Sequence, residues 1–258
     1  MKIFKQIKAL IPEPIKIPIR KFRSWKFRGF HYPVRPYSAN KLTRIYKNLD
    51  TYGKKQLTRW LRYCAGSQDF FAFRTRATNG LMLQQVTEEY ADYLTWLKTK
   101  NIKKYLEIGI GSGSSFFINN IFIKKSAELS IAVDNVSYDC FGDQLRNIND
   151  KFETLRSLNR SCTFKFYQGK SDDFFRQNSE KFDLIFIDAD HGYDSVKSDY
   201  DHALRALSPN GYIIFHDIAN EYYPGVIRLW KEITGSGANV IEYVTKNNYC
   251  GIGILSLN

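Results

Sequence analysis

From residue 100 onward the chain alternates short apolar runs with longer stretches of helical periodicity. The runs predict strands over 104–109, 129–134, 163–168, 183–188 and 211–216. The stretches between and after them predict helices over 114–123, 141–158, 172–179, 193–207 and 222–233. Strands that alternate with helices of this length specify a parallel sheet with right-handed crossovers, covered on both faces. At the end, VIEYV and GIGILSL flank the turn-prone Lys246-Asn247-Asn248, which predicts an antiparallel hairpin closing the sheet. The expected architecture is α/β, a doubly wound, mostly parallel sheet with an antiparallel C-terminal hairpin.

The front of the chain has a different pattern. Residues 84–99 predict a helix with Val86, Tyr90, Leu94 and Leu97 on one face. Between 41 and 64, Leu42, Ile45, Leu49, Leu57, Trp60 and Leu61 predict two short helices broken near Gly53. Ile3, Phe4, Ile7, Leu10 and Ile11 recur at helical spacing with lysines between them, until Pro12 and Pro14 stop the pattern. Five prolines between 12 and 40 argue for an extended arm. The expected division is a basic arm over 1–40, a helical accessory segment over 41–83 and a main domain over 84–258.

Charge sharpens this division. The net charge is +12, but residues 1–40 hold ten Lys/Arg against the single Glu13, and residues 101–258 sum to −3. A basic front joined to a mildly acidic back suggests a front that meets an anionic surface and a back that works on a small ligand. With 43% hydrophobic residues the chain can build a core, so overall disorder is excluded. Cys64, Cys140, Cys162 and Cys250 form no CxxC pair, which argues against a zinc ribbon or a disulfide framework and for a reducing compartment. No run reaches the ~18 apolar residues of a membrane span, and the N-terminus is a poor secretory signal. The expected location is cytoplasmic, with the arm available to reach the inner membrane face.

The chemistry concentrates at YLEIGIGSGSS, residues 105–115, where a strand runs into Gly109, Gly111 and Gly113 and then a helix. Glycines there allow a tight turn and a close approach to a ligand, and the helix start offers free N–H groups. Nicotinamide cofactors use a related turn spaced G-x-G-x-x-G. Here the spacing is G-x-G-x-G, with Glu107 two residues before the first glycine. A carboxylate at that strand end would repel a pyrophosphate and suits a ligand that carries an amine and a sulfonium, which points to S-adenosylmethionine. The second strand ends in Asp134, placed to accept hydrogen bonds from ribose hydroxyls.

From about residue 84 the chain resembles the class I S-adenosylmethionine-dependent methyltransferases, with their Rossmann-like fold. Within them it is similar to the group of catechol, caffeoyl-CoA and bacterial sugar or antibiotic O-methyltransferases. The residues that carry the resemblance are LEIGIGSGSS at 106–115, VD at 133–134, GKS at 169–171, FDLIFIDADHGYDSV at 182–196 and LSPNGYIIFHDI at 207–218. It implies that Glu107, Gly109 and Ser115 contact the methionine part of the cofactor or its turn, that Asp134 holds the ribose and that Ser171 sits by the adenine. It further implies Asp188 beside the reacting methyl and Asp190 near the cofactor amine. Relatives that bind a divalent ion such as Mg2+ use an Asp at the position of Asp188 and an Asp-Asn pair after strand five. Asp217 fills the first place of that pair, and Ile218 stands where the Asn would be.

A hydroxyl acceptor must lose its proton as the new bond forms. His191 and His216 are expected at the carboxyl ends of adjacent strands, where this fold binds substrates, and His191 is the better candidate base. Asp172 and Asp173 open a helix and are expected to act as caps there. The expected activity is O-methylation of a small-molecule or glycan-linked hydroxyl. Two other readings stand beside it. In one, an RNA methyltransferase uses the Lys/Arg, Phe22, Trp25, Phe27, Phe30 and Tyr32 of the arm to hold nucleic acid; against it, no N/D-P-P-Y/F tetrad follows strand four. In the other, the fold serves only as a scaffold for a non-catalytic, membrane-associated binding module; the retained Glu107, glycines and Asp134 argue against it. The arm itself has the composition of a helix that lies on an anionic membrane surface.

Overall fold

The computed structural model describes residues 33–49, 51–64, 80–136, 143–245 and 250–257. The stripe expected at residues 3–11, the arm up to residue 32 and the expected turn at 246–248 lie outside these residues.

Seven strands, β1 (Lys104–Ile108), β2 (Leu129–Asp134), β3 (Thr163–Gln168), β4 (Phe182–Ile187), β5 (Leu207–His216), β6 (Asn239–Tyr243) and β7 (Ile252–Ser256), form one sheet in the order β3-β2-β1-β4-β5-β7-β6. β1 to β5 pair in parallel, while β7 runs antiparallel to both β5 and β6. The expected antiparallel C-terminal pair is therefore present, with its second strand tucked between β5 and β6. There Gly253 lies under the Trp230 ring, where a Cβ would come within 2.6 Å of ring carbons. The near-continuous apolar runs of β1, β2 and β4 reflect burial on both faces of a central parallel strand.

Eight helices cover the sheet among the described residues. They are α1 (Pro36–Lys47), α2 (Thr51–Cys64), α3 (Thr87–Leu97), α4 (Ser114–Ile123), α5 (Gln144–Leu158), α6 (Ser171–Gln177), α7 (Tyr193–Ala206) and α8 (Pro224–Gly235). One face carries α1 to α5, through Leu42, Trp60, Leu94, Phe116 and Phe152; the other carries α6 to α8, through Phe174, Val196 and Trp230. The layered Rossmann-like plan follows from the sequence pattern. No described helix is long and apolar enough to cross a membrane.

Several boundaries differ from expectation for physical reasons. α1 starts at Pro36, inside the stretch read as extended, because proline is at home in a helix's first turn, where its missing N–H costs nothing. The break between α1 and α2 falls at 48–50, and Gly53 lies within α2. Its helix penalty of about 1 kcal/mol is outweighed by burial of Leu57, Trp60 and Leu61, each worth roughly 1.5–3 kcal/mol. Those side chains join the same apolar cluster as α3 and α4, so the 41–64 segment packs on the sheet domain itself.

The chain switches direction at β1, which pairs with β2 on one side and β4 on the other. The connections from β1 and β4 leave on opposite faces of the sheet, and a crevice opens above their carboxyl ends.

Candidate active site

The floor of the crevice is the glycine turn. Gly109 has φ 80°, and a Cβ there would collide with the carbonyl oxygen of Asp188, so only glycine lets β1 and β4 end side by side. Gly113, at φ 79°, occupies the N-cap of α4 and leaves the first amides of that helix without a side-chain cap. The turn is gripped from β2. Asp134 Oδ2 accepts hydrogen bonds from the backbone N–H groups of Ile110 at 2.9 Å and Gly111 at 3.0 Å, and Oδ1 accepts from Val136 N at 2.7 Å. A carboxylate oxygen can accept more than one bond, so Asp134 can hold the turn and still meet a ligand in the crevice it lines.

Glu107 takes a different position from the glycines. Its side chain is completely buried beneath the crevice and does not line it. Ser115 Oγ and the Tyr105 hydroxyl donate to its two oxygens, and Asn119 Nδ2 lies 3.4 Å from Oε2. Burial pushes the Glu107 carboxyl up to about 8, against the pull of those hydrogen bonds. Ser115 does line the crevice, so Glu107 acts on that wall by fixing Ser115. Such a buried network is stable only when each member is satisfied, and here Tyr90 completes it by donating to Asn119 Oδ1 at 2.9 Å.

The opposite wall comes from the ends of β4 and β5. Asp188 follows β4, and its Oδ2 accepts from Gln85 Nε2 at 3.1 Å. Asp217 follows β5 with a left-handed φ of 64°, uncommon for a residue with a Cβ, and this conformation aims its carboxylate at two histidines. Its Oδ2 accepts from His191 Nε2 at 3.0 Å and lies 3.1 Å from His216 Nδ1, while Asn220 Nδ2 donates to Oδ1 at 2.7 Å. The His216 Nδ1 is also 3.1 Å from Asp188 Oδ1.

The two histidines are thereby given different roles. Burial disfavours a charged His216, but Asp188 and Asp217 outweigh it and hold the ring's pKa well above the ordinary value. Asp217 responds in kind: burial opposes its ionisation, yet His216 and the three donors keep its carboxyl well below the usual range. Both rings line the crevice, but the His216 side chain is only 5% exposed, whereas His191 is 27% exposed and stacks on Tyr223 at 3.7 Å between ring centroids. When Nε2–H is directed at Asp217, the His191 Nδ1 is the ring nitrogen left to accept a proton from a substrate.

The crevice has a volume of about 1220 Å³, above the ~300–1,000 Å³ of a typical small-ligand site, which leaves room for a cofactor and a second molecule. It gathers Gly109, Gly111, Ser115, Asp134, Ser171, Asp188, Asp190, His191 and Asp217, all singled out from sequence, while Glu107 stays behind the wall and Gly113 lies at the helix start. Ser171 opens α6 and bonds to the buried Asp199, whose carboxyl burial pushes up to about 6. Asp190 accepts from Gly192 N at 2.9 Å and lies 3.3 Å from Ser195 Oγ. Asp172 and Asp173 sit in the first turn of α6 but do not cap it: the N-cap is Lys170, and Asp172 instead accepts from Ser198 and His202 of α7, both at 3.0 Å. Sequence reasoning missed Arg62 and Glu88, paired at the rim, and Gln85, Asn220, Tyr223 and Cys250. Only Asn220, three residues after Asp217, carried a signal; the rest arrive through tertiary packing.

Seven carboxylates line the crevice, at Glu88, Asp134, Asp172, Asp188, Asp190, Asp199 and Asp217, against Arg62, Lys170 and the two histidines His191 and His216. An acidic lining in a chain of net charge +12 fits a cationic ligand such as a sulfonium with an amine. The same residues do not fit Mg2+, which demands near-octahedral oxygen ligation. Asp188, His191 and Asp217 do approach within 4.8 Å of one another. However, the His216 Nδ1 already lies 3.1 Å from both carboxylates, and the buried, apolar Ile218 stands where the amide would be.

Residues 106–218 match the family model described as a methyltransferase domain. Among solved structures, the chain is similar to an O-methyltransferase from Bacillus cereus in complex with SAH, at 16% identity and TM-score 0.51 over 68% of this chain and 82% of that one. A putative O-methyltransferase from Klebsiella pneumoniae matches at 16% identity and TM-score 0.51, over 98% of this chain and 94% of that one. The O-methyltransferase TomG of Streptomyces achromogenes, involved in tomaymycin synthesis and solved with SAM, matches at 12% identity and TM-score 0.51, over 87% and 91%. No curated protein sequence matches the chain. The methyltransferase-domain match thus falls on the stretch that builds the crevice, from β1 to just past β5. In fold the chain is similar to these solved O-methyltransferases.

Proposed function

We propose that the protein methylates a hydroxyl of a small-molecule or glycan-linked acceptor, with His191 as the general base. The observation that carries this reading is the His191–Asp217 pair: a crevice-lining imidazole, oriented by a buried carboxylate and stacked on Tyr223, beside Asp188 at the end of β4.

S-adenosylmethionine supplies an electrophilic methyl group on a sulfonium. The chain's own residues have three tasks. The glycine turn, gripped by Asp134, and Ser115, held by Glu107, would hold the cofactor, with Asp190 near its amine and Ser171 near the adenine. Asp188 and the crevice walls orient the acceptor oxygen, because in-line attack depends on holding two reactants in register. His191 Nδ1 takes the acceptor's proton, and Asp217 stabilises the imidazolium that results. His216 is less suited to this task, since its side chain is only 5% exposed. Its Nδ1 instead lies between Asp188 and Asp217, 3.1 Å from each.

The acidic lining also favours a small acceptor over RNA, whose phosphates it would repel. The test is transfer of a labelled methyl group to a panel of hydroxylated small molecules and glycans, run with and without a chelator. The reading expects label recovered as a base-stable methyl ether, with the rate unchanged by the chelator. Label recovered on nitrogen or in RNA, or activity lost to chelation and restored by Mg2+, would overturn it.

A further inference from the structure

We propose that the outer face of α1 and α2 is a docking surface for an anionic lipid bilayer, and that it brings the mouth of the crevice to that surface.

Both helices bury one side in the core and turn the other outward. On the outer side Arg44 and Lys47 of α1 and Lys55 and Arg59 of α2 are exposed, and none of them pairs with a carboxylate among the described residues. α2 lies antiparallel along α3, since Lys54 pairs with Asp92 and Arg62 with Glu88. Its first turn therefore points toward the end of α3 and its last toward the crevice, where Arg62 forms part of the rim. The lysine-rich end is crowded: the ammonium groups of Lys98, Lys124 and Lys125 stand 5.1, 5.4 and 5.9 Å from the centre of the Tyr46 ring. Burial, with Lys47 and Lys125 close by, holds the Lys124 ammonium below its usual range. A basic band thus runs from that cluster along α2 to the crevice rim, ~12 Å from Lys54 to Arg62 at helical rise.

Cations at helix ends complement the helix dipole, which accounts for Arg44 and Lys47 in the last turn of α1 and for Lys98 and Lys124, but not for Lys55 and Arg59 along α2. The occupant follows from chemistry. A single-stranded nucleic acid needs aromatic faces on which bases stack, and the described aromatic side chains of these helices, Tyr46 and Trp60, are buried. A bilayer needs only distributed cations, each adding to attraction toward acidic headgroups. The chain that leads into α1 also supplies a basic, apolar-striped sequence, with ten Lys/Arg against Glu13 over residues 1–40. An acceptor carried on a lipid would then meet the crevice at its own surface. This last clause alone rests on the proposed function; the docking does not.

The test is co-sedimentation of the full chain with vesicles of phosphatidylglycerol and phosphatidylcholine, and with phosphatidylcholine alone. The comparison variant is the triple substitution Arg44→Glu, Lys55→Glu, Arg59→Glu, which spares Arg62. The wild type should sediment with the anionic vesicles only and be released by salt. The triple variant should bind at least about tenfold more weakly while its affinity for S-adenosylhomocysteine stays unchanged, which shows the domain intact. Vesicle binding equal to wild type in the variant, binding to neutral vesicles, or preference for an RNA oligomer over anionic vesicles would overturn the proposal. Loss of S-adenosylhomocysteine binding by the wild type would count against the cofactor reading and not against this one.

Discussion

His191→Ala is expected to lower kcat by roughly 10²–10⁴ while leaving cofactor affinity nearly intact, the signature of a lost general base. Three features of the site set this size. His191 is the more exposed of the two imidazoles that line the crevice, its Nε2 is fixed by Asp217 at 3.0 Å, and its ring is held against Tyr223. The second histidine is poorly placed to take over, because His216 is buried and the two carboxylates at its Nδ1 hold its pKa well above the ordinary value. The measurement is steady-state turnover together with S-adenosylhomocysteine titration. Wild-type turnover in the variant would remove the base assignment. A parallel loss of cofactor affinity would place His191 in the cofactor site instead.

The second large effect is expected at Asp134, whose carboxylate joins β2 to the glycine turn. Asp134→Ala removes the acceptor for the Ile110 and Gly111 amides and any bond to a ribose hydroxyl. Hydrogen bonds to a charged group contribute about 1.5–3 kcal/mol, so affinity for S-adenosylhomocysteine should fall by about 10–150-fold. Asp134→Asn keeps one acceptor oxygen and should recover part of the loss. Calorimetry on both variants, with the thermal transition as a check on folding, decides the matter. Unchanged affinity in Asp134→Ala would mean that the turn holds its shape without this clamp and that the ribose is bound elsewhere.

Much of this arrangement is legible in the sequence because local and global signals agree. The alternation of apolar runs and helical stretches places β1 to β5 within a residue or so, except that β5 begins at Leu207, four residues before the expected start. A second lapse is Gly53, whose local cost is overridden by tertiary burial. The crevice residues on strand ends could be named from sequence, since a parallel sheet delivers those ends to one edge. Depth could not. Glu107 and Asp134 both end or nearly end a strand, yet one carboxyl is walled in by Tyr105, Ser115 and Asn119 and the other faces the crevice. Only the packing of α4 distinguishes them. Likewise nothing local in FHDI reveals that His216 fits between Asp188 and Asp217. The His216–Asp188 contact joins residues 28 positions apart in the chain, and it sets an imidazole between two carboxylates that in sequence read as metal ligands. Arg62 and Glu88 reach the rim through helices that sequence pattern placed only as amphipathic segments.

The central claim is that the crevice at the ends of β1 and β4 is an S-adenosylmethionine site and not a dinucleotide site. Titration of the full chain with S-adenosylhomocysteine and, separately, with a nicotinamide dinucleotide tests it most directly. Saturable binding of S-adenosylhomocysteine at one site per chain, with no heat from the dinucleotide, is the result predicted by the acidic lining and the G-x-G-x-G turn. Tighter binding of the dinucleotide would contradict it.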